Sequence, residues 1–235
     1  FHQNLNAWQI VHLEDSVIQP SIHYSAVIFF DLAFDYDSNL VFISGSTGRG
    51  NWIDTTMLYS ILTCQGKPLL GLKNNSFFIS LRMLGDSIKF HSYGVNPSIG
   101  YSDCMTDGYK VHGNLICNKN RVFIQSRNNG GIRLPTHNIE WYMYKKSLGL
   151  TIFNYHGQVI GGENYTAISD NNRVGPLSLR DSNLHLSNKL SSDATFGDIH
   201  VPSRGDYFAC IAKYVDTAFM TPYVAPTPGP GPEGI

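Results

Sequence analysis

The chain is predicted to be all-β, an antiparallel β-sandwich or jelly-roll-like barrel with extended N- and C-terminal arms. Three observations carry this. Gly and Pro interrupt the chain so often after Gly45 that few windows hold a full helix. Short runs alternating apolar with polar residues recur about every ten residues, the rhythm of strands and turns. The last residues, "TPYVAPTPGPGPEGI", alternate Pro with Gly and small residues and can supply neither a ladder nor a core. The expected division is an N-terminal arm over 1–22, a β domain over 23–220 and an extended tail over 221–235.

Within the arm, Leu5, Trp8 and Val11 recur at helical intervals, which suits a short helix or a segment lying across another surface. Ala26 to Ala33 and Leu40 to Ser44 are the first expected strands. Met57, Leu58, Ile61 and Leu62 fit a helix or a strand equally. Phe77, Ile79, Leu81 and Met83 alternate with Phe78, Ser80, Arg82 and Leu84; after Gly85-Asp86-Ser87 the alternation resumes at Ile88 and Phe90, a hairpin with one buried face. A second hairpin is expected to join Val122–Ser126 to Ile132–Leu134 across Asn128-Asn129-Gly130-Gly131, since Asn and Gly tolerate positive φ. Ile139 to Tyr144, Leu150 to Tyr155, Leu184 to Leu186 and Tyr207 to Tyr214 complete the set. So many short strands imply a sandwich or barrel.

Composition narrows the function classes. The 42% hydrophobic content supports a real core, while only 15% of residues are charged. Seventeen basic residues against eighteen acidic ones give a formal charge of −1, so no overall field points to nucleic acid or anionic lipid. Apolar runs such as Ala26 to Phe30 are far shorter than the roughly 20 residues of a spanning helix, and no membrane span is expected. A chain opening on Phe1 suggests a piece released from a leader or a larger precursor.

Four cysteines, Cys64, Cys104, Cys117 and Cys210, lack the paired spacing of a zinc site, and no metal or cofactor is expected. Cys104 and Cys117 flank a Gly-containing segment that suits a local disulfide, which would leave Cys64 with Cys210; four buried free thiols are the alternative. Asn74 and Asn164 head glycosylation sequons. These features favour a virion or extracellular location.

Gly85-Asp86-Ser87 resembles the block carrying the nucleophile of Gly-Asp-Ser esterases, which implies a hydrolase using Ser87. That family's Asp-x-x-His pair has no match here, as Asp181 with His185 and Asp198 with His200 are wrongly spaced. The tripeptide is also the expected turn of a hairpin, where Gly, Asp and Ser occur for backbone reasons alone, and the turn is the favoured reading. Gly45 to Gly50 lacks the Lys-Ser/Thr ending of a phosphate-binding loop, and the nine histidines are scattered singly, so no catalytic residue is assigned and the protein is expected not to be an enzyme. Leu32 to Ile43, "LAFDYDSNLVFI", is similar at once to adenovirus fibre shaft repeats, to laminin-G-like lectins and to fluorescent-protein barrels, which share only the alternating pattern.

Three binding candidates remain. Arg204-Gly205-Asp206 is an integrin-type tripeptide on an expected loop, since Asp193 to Pro202 shows no strand pattern. Arg121, Arg127 and Arg133 with Lys119 surround the second expected hairpin turn; guanidinium groups there suit a sialic acid carboxylate, a sulfated sugar or packaged nucleic acid, and a solvated hairpin tip is the favoured plain reading. Trp141, Tyr142 and Tyr144 belong to the densest aromatic stretch, and exposed rings stack on sugars. The leading expectation is a non-enzymatic, self-assembling β-sandwich of a virion or particle surface. It would contact neighbouring copies through its arms and a receptor through its loops. A secreted glycan-binding module is the alternative.

Overall fold

The computed structural model describes residues 13–17, 27–47, 60–64, 67–69, 76–85, 87–96, 101–103, 105–106, 109–110, 114–129, 131–133, 138–140, 146–167, 173–180, 183–196, 198–203 and 207–215. Among these the chain is all-β, with twenty-one strands and no helix. The strands are β1 (Leu13–Val17), β2 (Val27–Asp35), β3 (Leu40–Thr47), β4 (Ser60–Cys64), β5 (Lys67–Leu69), β6 (Ser76–Leu84) and β7 (Ser87–Val95). There follow β8 (Tyr101–Asp103), β9 (Met105–Thr106), β10 (Tyr109–Lys110), β11 (Leu115–Asn118), β12 (Arg121–Asn129), β13 (Gly131–Arg133) and β14 (Asn138–Glu140). The last are β15 (Lys146–Asn154), β16 (Val159–Ala167), β17 (Arg173–Arg180), β18 (Asn183–Leu190), β19 (Ala194–Phe196), β20 (Ile199–Val201) and β21 (Phe208–Val215).

All described pairings are antiparallel. A central sheet runs β11-β12-β15-β16-β19-β20, with β8 pairing the end of β12 that β11 does not reach. A four-stranded sheet, β2-β3-β6-β7, covers one face, and a three-stranded sheet, β17-β18-β21, covers the other. The result has three layers rather than the two of a simple sandwich. Val122, Ile124 and Phe153 meet Leu40, Phe42 and Phe78 of the four-stranded sheet. Phe123, Leu148, Leu150 and Ile152 meet Leu177, Leu184 and Leu186 of the three-stranded one. A sheet covered twice has no polar face, so 121–127 and 148–155 are buried without interruption. Full burial of each Leu, Ile or Phe contributes about 1.5–3 kcal/mol, and the middle layer contributes such residues to the clusters on both of its faces.

Polar groups caught between layers are tied to one another. Asn96 Nδ2 donates to Ser126 Oγ at 2.8 Å and to Thr151 Oγ1 at 3.2 Å, joining the end of β7 to the middle of the central sheet. Ser80 and Ser92 share a 2.7 Å hydrogen bond, and Ser92 Oγ also donates to the Tyr155 carbonyl. On the opposite face Gln125 Nε2 donates to Asn188 Oδ1. These bonds offset part of the desolvation cost of the buried amides and hydroxyls, while Asn96 Oδ1 and Asn188 Nδ2 are buried without a partner among the described residues.

Several local expectations need correction. The β6–β7 hairpin forms, but Ser76 to Leu81 are buried on both faces, not one. The second expected hairpin does not exist: β12 continues through Asn128 and Asn129 and pairs with β15 and β8, while β13 pairs with β14. The turn that does reverse the chain there is Lys119-Asn120, both at positive φ (48° and 63°), which gives the tight β11–β12 hairpin its twist. Leu13–Val17, within the segment expected as an arm, forms a strand paired with β4, and 60–64, which fits helix or strand on sequence, is strand. Asp193 to Pro202 contains β19 and β20. Cys117 and Cys210 are free thiols, so neither a Cys104–Cys117 nor a Cys64–Cys210 disulfide is present. Each thiol packs instead against a hydrophobic cluster, on opposite faces of the central sheet.

Candidate binding surfaces

Strand β2 carries the chain's least expected arrangement. In "DLAFD", alternation places Asp31, Ala33 and Asp35 on one face and Leu32 and Phe34 on the other. The acidic face turns inward. Ala33 packs on the Leu40–Phe42–Tyr155 cluster, Asp31 Oδ2 accepts the Leu115 N–H at 2.9 Å, and Asp35 Oδ2 accepts the Tyr155 hydroxyl at 2.6 Å. Burial alone would raise the Asp35 carboxyl, but hydrogen bonds from Tyr155, Ser38 and the Asp37 and Ser38 amides outweigh it and hold it below its ordinary value. Burial, the bond to Asp35 and the neighbouring Cys117 push the Tyr155 phenol upward. Cys117 itself, desolvated and facing Asp35, is pushed up to about 12 and stays a protonated thiol, unsuited to nucleophilic attack.

The apolar face of β2 turns outward instead. Leu32 is 49% exposed, Phe34 50% and Tyr36, in the following turn, 83%. The Phe34 and Tyr36 rings stack with centroids 5.8 Å apart and planes 14° from parallel. Register places Phe34 beside Val41, which lies beside Leu81, and Leu32 beside Ile43, which lies beside Ile79. These register partners on the outer face are all apolar. The centre of this face, Phe77, Ile79 and Leu81, is buried, while the corner formed by Leu32, Phe34, Tyr36 and Met83 stands open.

The outer face of the three-stranded sheet has the opposite character. Leu184, Leu186 and Leu190 point inward to the core, so Asn183, His185, Ser187 and Lys189 point out. Across β18, His185 lies beside Lys213 on one side and Ser178 on the other, and Asn183 lies beside Arg180. Arg180, Lys189 and Lys213 are exposed. The Lys189 ammonium sits 4.1 Å from the centroid of the exposed Tyr207 ring. No Asp or Glu occurs in any of the three strands.

The sites expected from sequence are distributed differently. Arg121 and Arg127 are only 6% and 3% exposed, because the strand bearing them lies in the middle layer, so they form no surface patch for an anionic sugar. Arg133 lies in β13 and Lys119 is exposed at the β11–β12 turn. Trp141, Tyr142, Tyr144, Arg204, Gly205, Asp206, Cys104 and Asn74 lie outside the described residues. Of the loop around Arg204-Gly205-Asp206, Pro202 and Tyr207 are exposed, and the Ser203 N–H donates to Asp193 Oδ1 at 2.6 Å. Asn164 lies within β16, opposite Gly149. Ser87 Oγ donates to the Leu84 carbonyl at 3.2 Å, closing the turn at Gly85 (φ 52°) as backbone chemistry predicts.

No family model, curated protein or solved structure matches the chain. The two surfaces therefore have to be interpreted from their own chemistry. Sequence reasoning missed both, although each left a trace. Leu32, Phe34 and Tyr36 recur with period two, and β17, β18 and β21 share a lack of carboxylates.

Proposed function

We propose that the protein is a non-enzymatic assembly module, a capsid- or spike-like component of a virion or other extracellular particle whose copies associate through the open corner of the four-stranded sheet. The observation that carries this reading is the inversion of β2, which exposes Leu32, Phe34 and Tyr36 while turning Asp31 and Asp35 inward. Leaving a stacked aromatic pair in water forgoes about 25 cal/mol for every Å² that burial would remove, a cost that association recovers. The low charge of the chain, 15% charged residues, removes a barrier to close approach of copies.

A stable interface needs about 800 Å² from each partner, more than four side chains supply. The corner is its apolar centre, and adjoining segments complete it. Receptor attachment through Arg204-Gly205-Asp206 belongs to this reading as a further role of the loop between β20 and β21. The decisive measurement is molar mass by light scattering over a concentration series, for the wild type and for Phe34→Ser/Tyr36→Ser. Concentration-dependent association that the double substitution abolishes supports the proposal. A wild type that stays monomeric at high concentration overturns it.

A further inference from the structure

We propose that the outer face of β17, β18 and β21 binds a sulfated polysaccharide through Arg180, Lys189 and Lys213, with Tyr207 as a platform for a sugar ring. This site is independent of self-association, since it lies on the opposite side of the central sheet from the Phe34–Tyr36 corner. Three observations lead to it.

The first is charge segregation. A chain with a formal charge of −1 concentrates Arg180, Lys189 and Lys213, with the half-buried His185, on one sheet face whose three strands contain no carboxylate. Mixed signs would be expected of a face whose only task is solubility.

The second is spacing. Strands lie about 4.8 Å apart and residues rise about 3.4 Å, so Arg180 and Lys213, two strands and two residues apart, are about 12 Å from each other at the backbone. Lys189 and Lys213, on adjacent strands and displaced by four residues, are about 14 Å apart. Arg180 and Lys189, on adjacent strands and displaced by six residues, are about 21 Å apart, so one phosphate or carboxylate does not reach all three cations, whereas a polymer carrying an anion at every repeat does.

The third is the ring. Tyr207 is 51% exposed with the Lys189 ammonium over one face of its ring, so a sugar stacked on the opposite face would lie near a cation for its sulfate. A strand of nucleic acid would instead call for a series of rings on which successive bases stack, and this face presents a single one among the described residues. Of the other exposed side chains on this face, Ser178 offers a hydroxyl, and Ala209, Ile211 and Val215 offer apolar contacts.

The test uses the full chain on immobilised heparin, with affinity measured by biolayer interferometry across a salt series. Lys189→Glu/Lys213→Glu is compared with Lys89→Glu, a charge reversal at an exposed position on β7. The double variant is expected to bind at least about tenfold more weakly, and Lys89→Glu to stay within about twofold of the wild type. The slope of log affinity against log salt should be shallower for the double variant than for the wild type, since fewer counterions are released. All three positions are exposed, so circular dichroism should be unchanged; if the double Glu variant misfolds, Lys189→Gln/Lys213→Gln replaces it. Absence of wild-type binding, equal losses in the two charge reversals, or tighter binding of a single-stranded oligonucleotide than of heparin at the same salt would each overturn the proposal.

Discussion

The Tyr155 hydroxyl donates to Asp35 Oδ2 at 2.6 Å, joining residues 120 apart in sequence and fastening the four-stranded sheet to the central one. The partners are matched in chemistry: a phenol held above its ordinary range remains a donor, and a carboxylate held below its range remains an acceptor.

Replacing Tyr155 with Phe removes the donor and leaves the carboxylate beside an apolar ring. The expected loss is about 1–2 kcal/mol at neutral pH, read from urea unfolding. The sign with pH follows from the lowered Asp35 value. Stability from this group is fully present above the unfolded carboxyl range near pH 4 and is lost as pH falls through the lower folded value. Wild type should therefore lose stability between about pH 4 and pH 2 more steeply than Tyr155→Phe. Parallel pH profiles for the two proteins would contradict the coupling.

Gly157 holds the β15–β16 turn against β7. Its φ is +85°, and a Cβ there would stand 1.8 Å from the Tyr93 carbonyl oxygen. Backbone strain and overpacking therefore act together, and Gly157→Ala should cost about 3 kcal/mol. By contrast, Gly85 also has positive φ but faces open space, so Gly85→Ala should carry only the backbone penalty, about 1 kcal/mol. Thermal melts of the two variants test the ordering; equal losses would mean that the turn yields.

His91 and His156 face each other across the same contact, with ring centroids 5.8 Å apart. Burial first, then the charges of Arg82 and His156, lower the His91 value. A base with a depressed folded value supplies stability that is present above the unfolded range near pH 6.5 and lost as pH falls below it. His91→Gln should flatten the decline in melting temperature between about pH 6.5 and pH 5. An unchanged slope would remove His91 from the acid response.

The Phe34–Tyr36 corner should behave as an interface hot spot. If it does, Phe34→Ser/Tyr36→Ser weakens association by at least 2 kcal/mol, about thirtyfold, with the monomer's unfolding free energy within about 0.5 kcal/mol of wild type. Loss of monomer stability instead would show that the rings serve the fold.

Cys117 should resist alkylation in the native protein at pH 8, because its thiolate fraction is negligible when the thiol is pushed up to about 12. Unfolding in urea should restore ordinary reactivity. Native labelling at the rate of a free peptide thiol would contradict its placement on the Leu40–Phe42–Tyr155 cluster.

Turns and strand identity are largely legible in the residues themselves. Asn39 and Gly85 sit at positive φ, the conformation that Asn and Gly tolerate best, and β2, β3, β6, β7, β15, β18 and β21 follow runs of alternating residues. These depend on neighbours two to four residues away, so local chemistry suffices. Lys119-Asn120 escapes such a reading because lysine carries no turn signal. Pro176 obscures β17, where it is accommodated at a register shift on an edge strand.

Alternation in β2 and β12 says which residues share a face; it does not say which face lies inside. Asp31 and Asp35 point inward where Leu115 of β11 and Tyr155 of the turn after β15, both distant in sequence, offer donors, and Arg121 and Arg127 are buried because two further sheets cover β12 on both sides. Burial is a property of layers brought together over long sequence separations, so the assembly of the three sheets decided which surfaces are open to a partner.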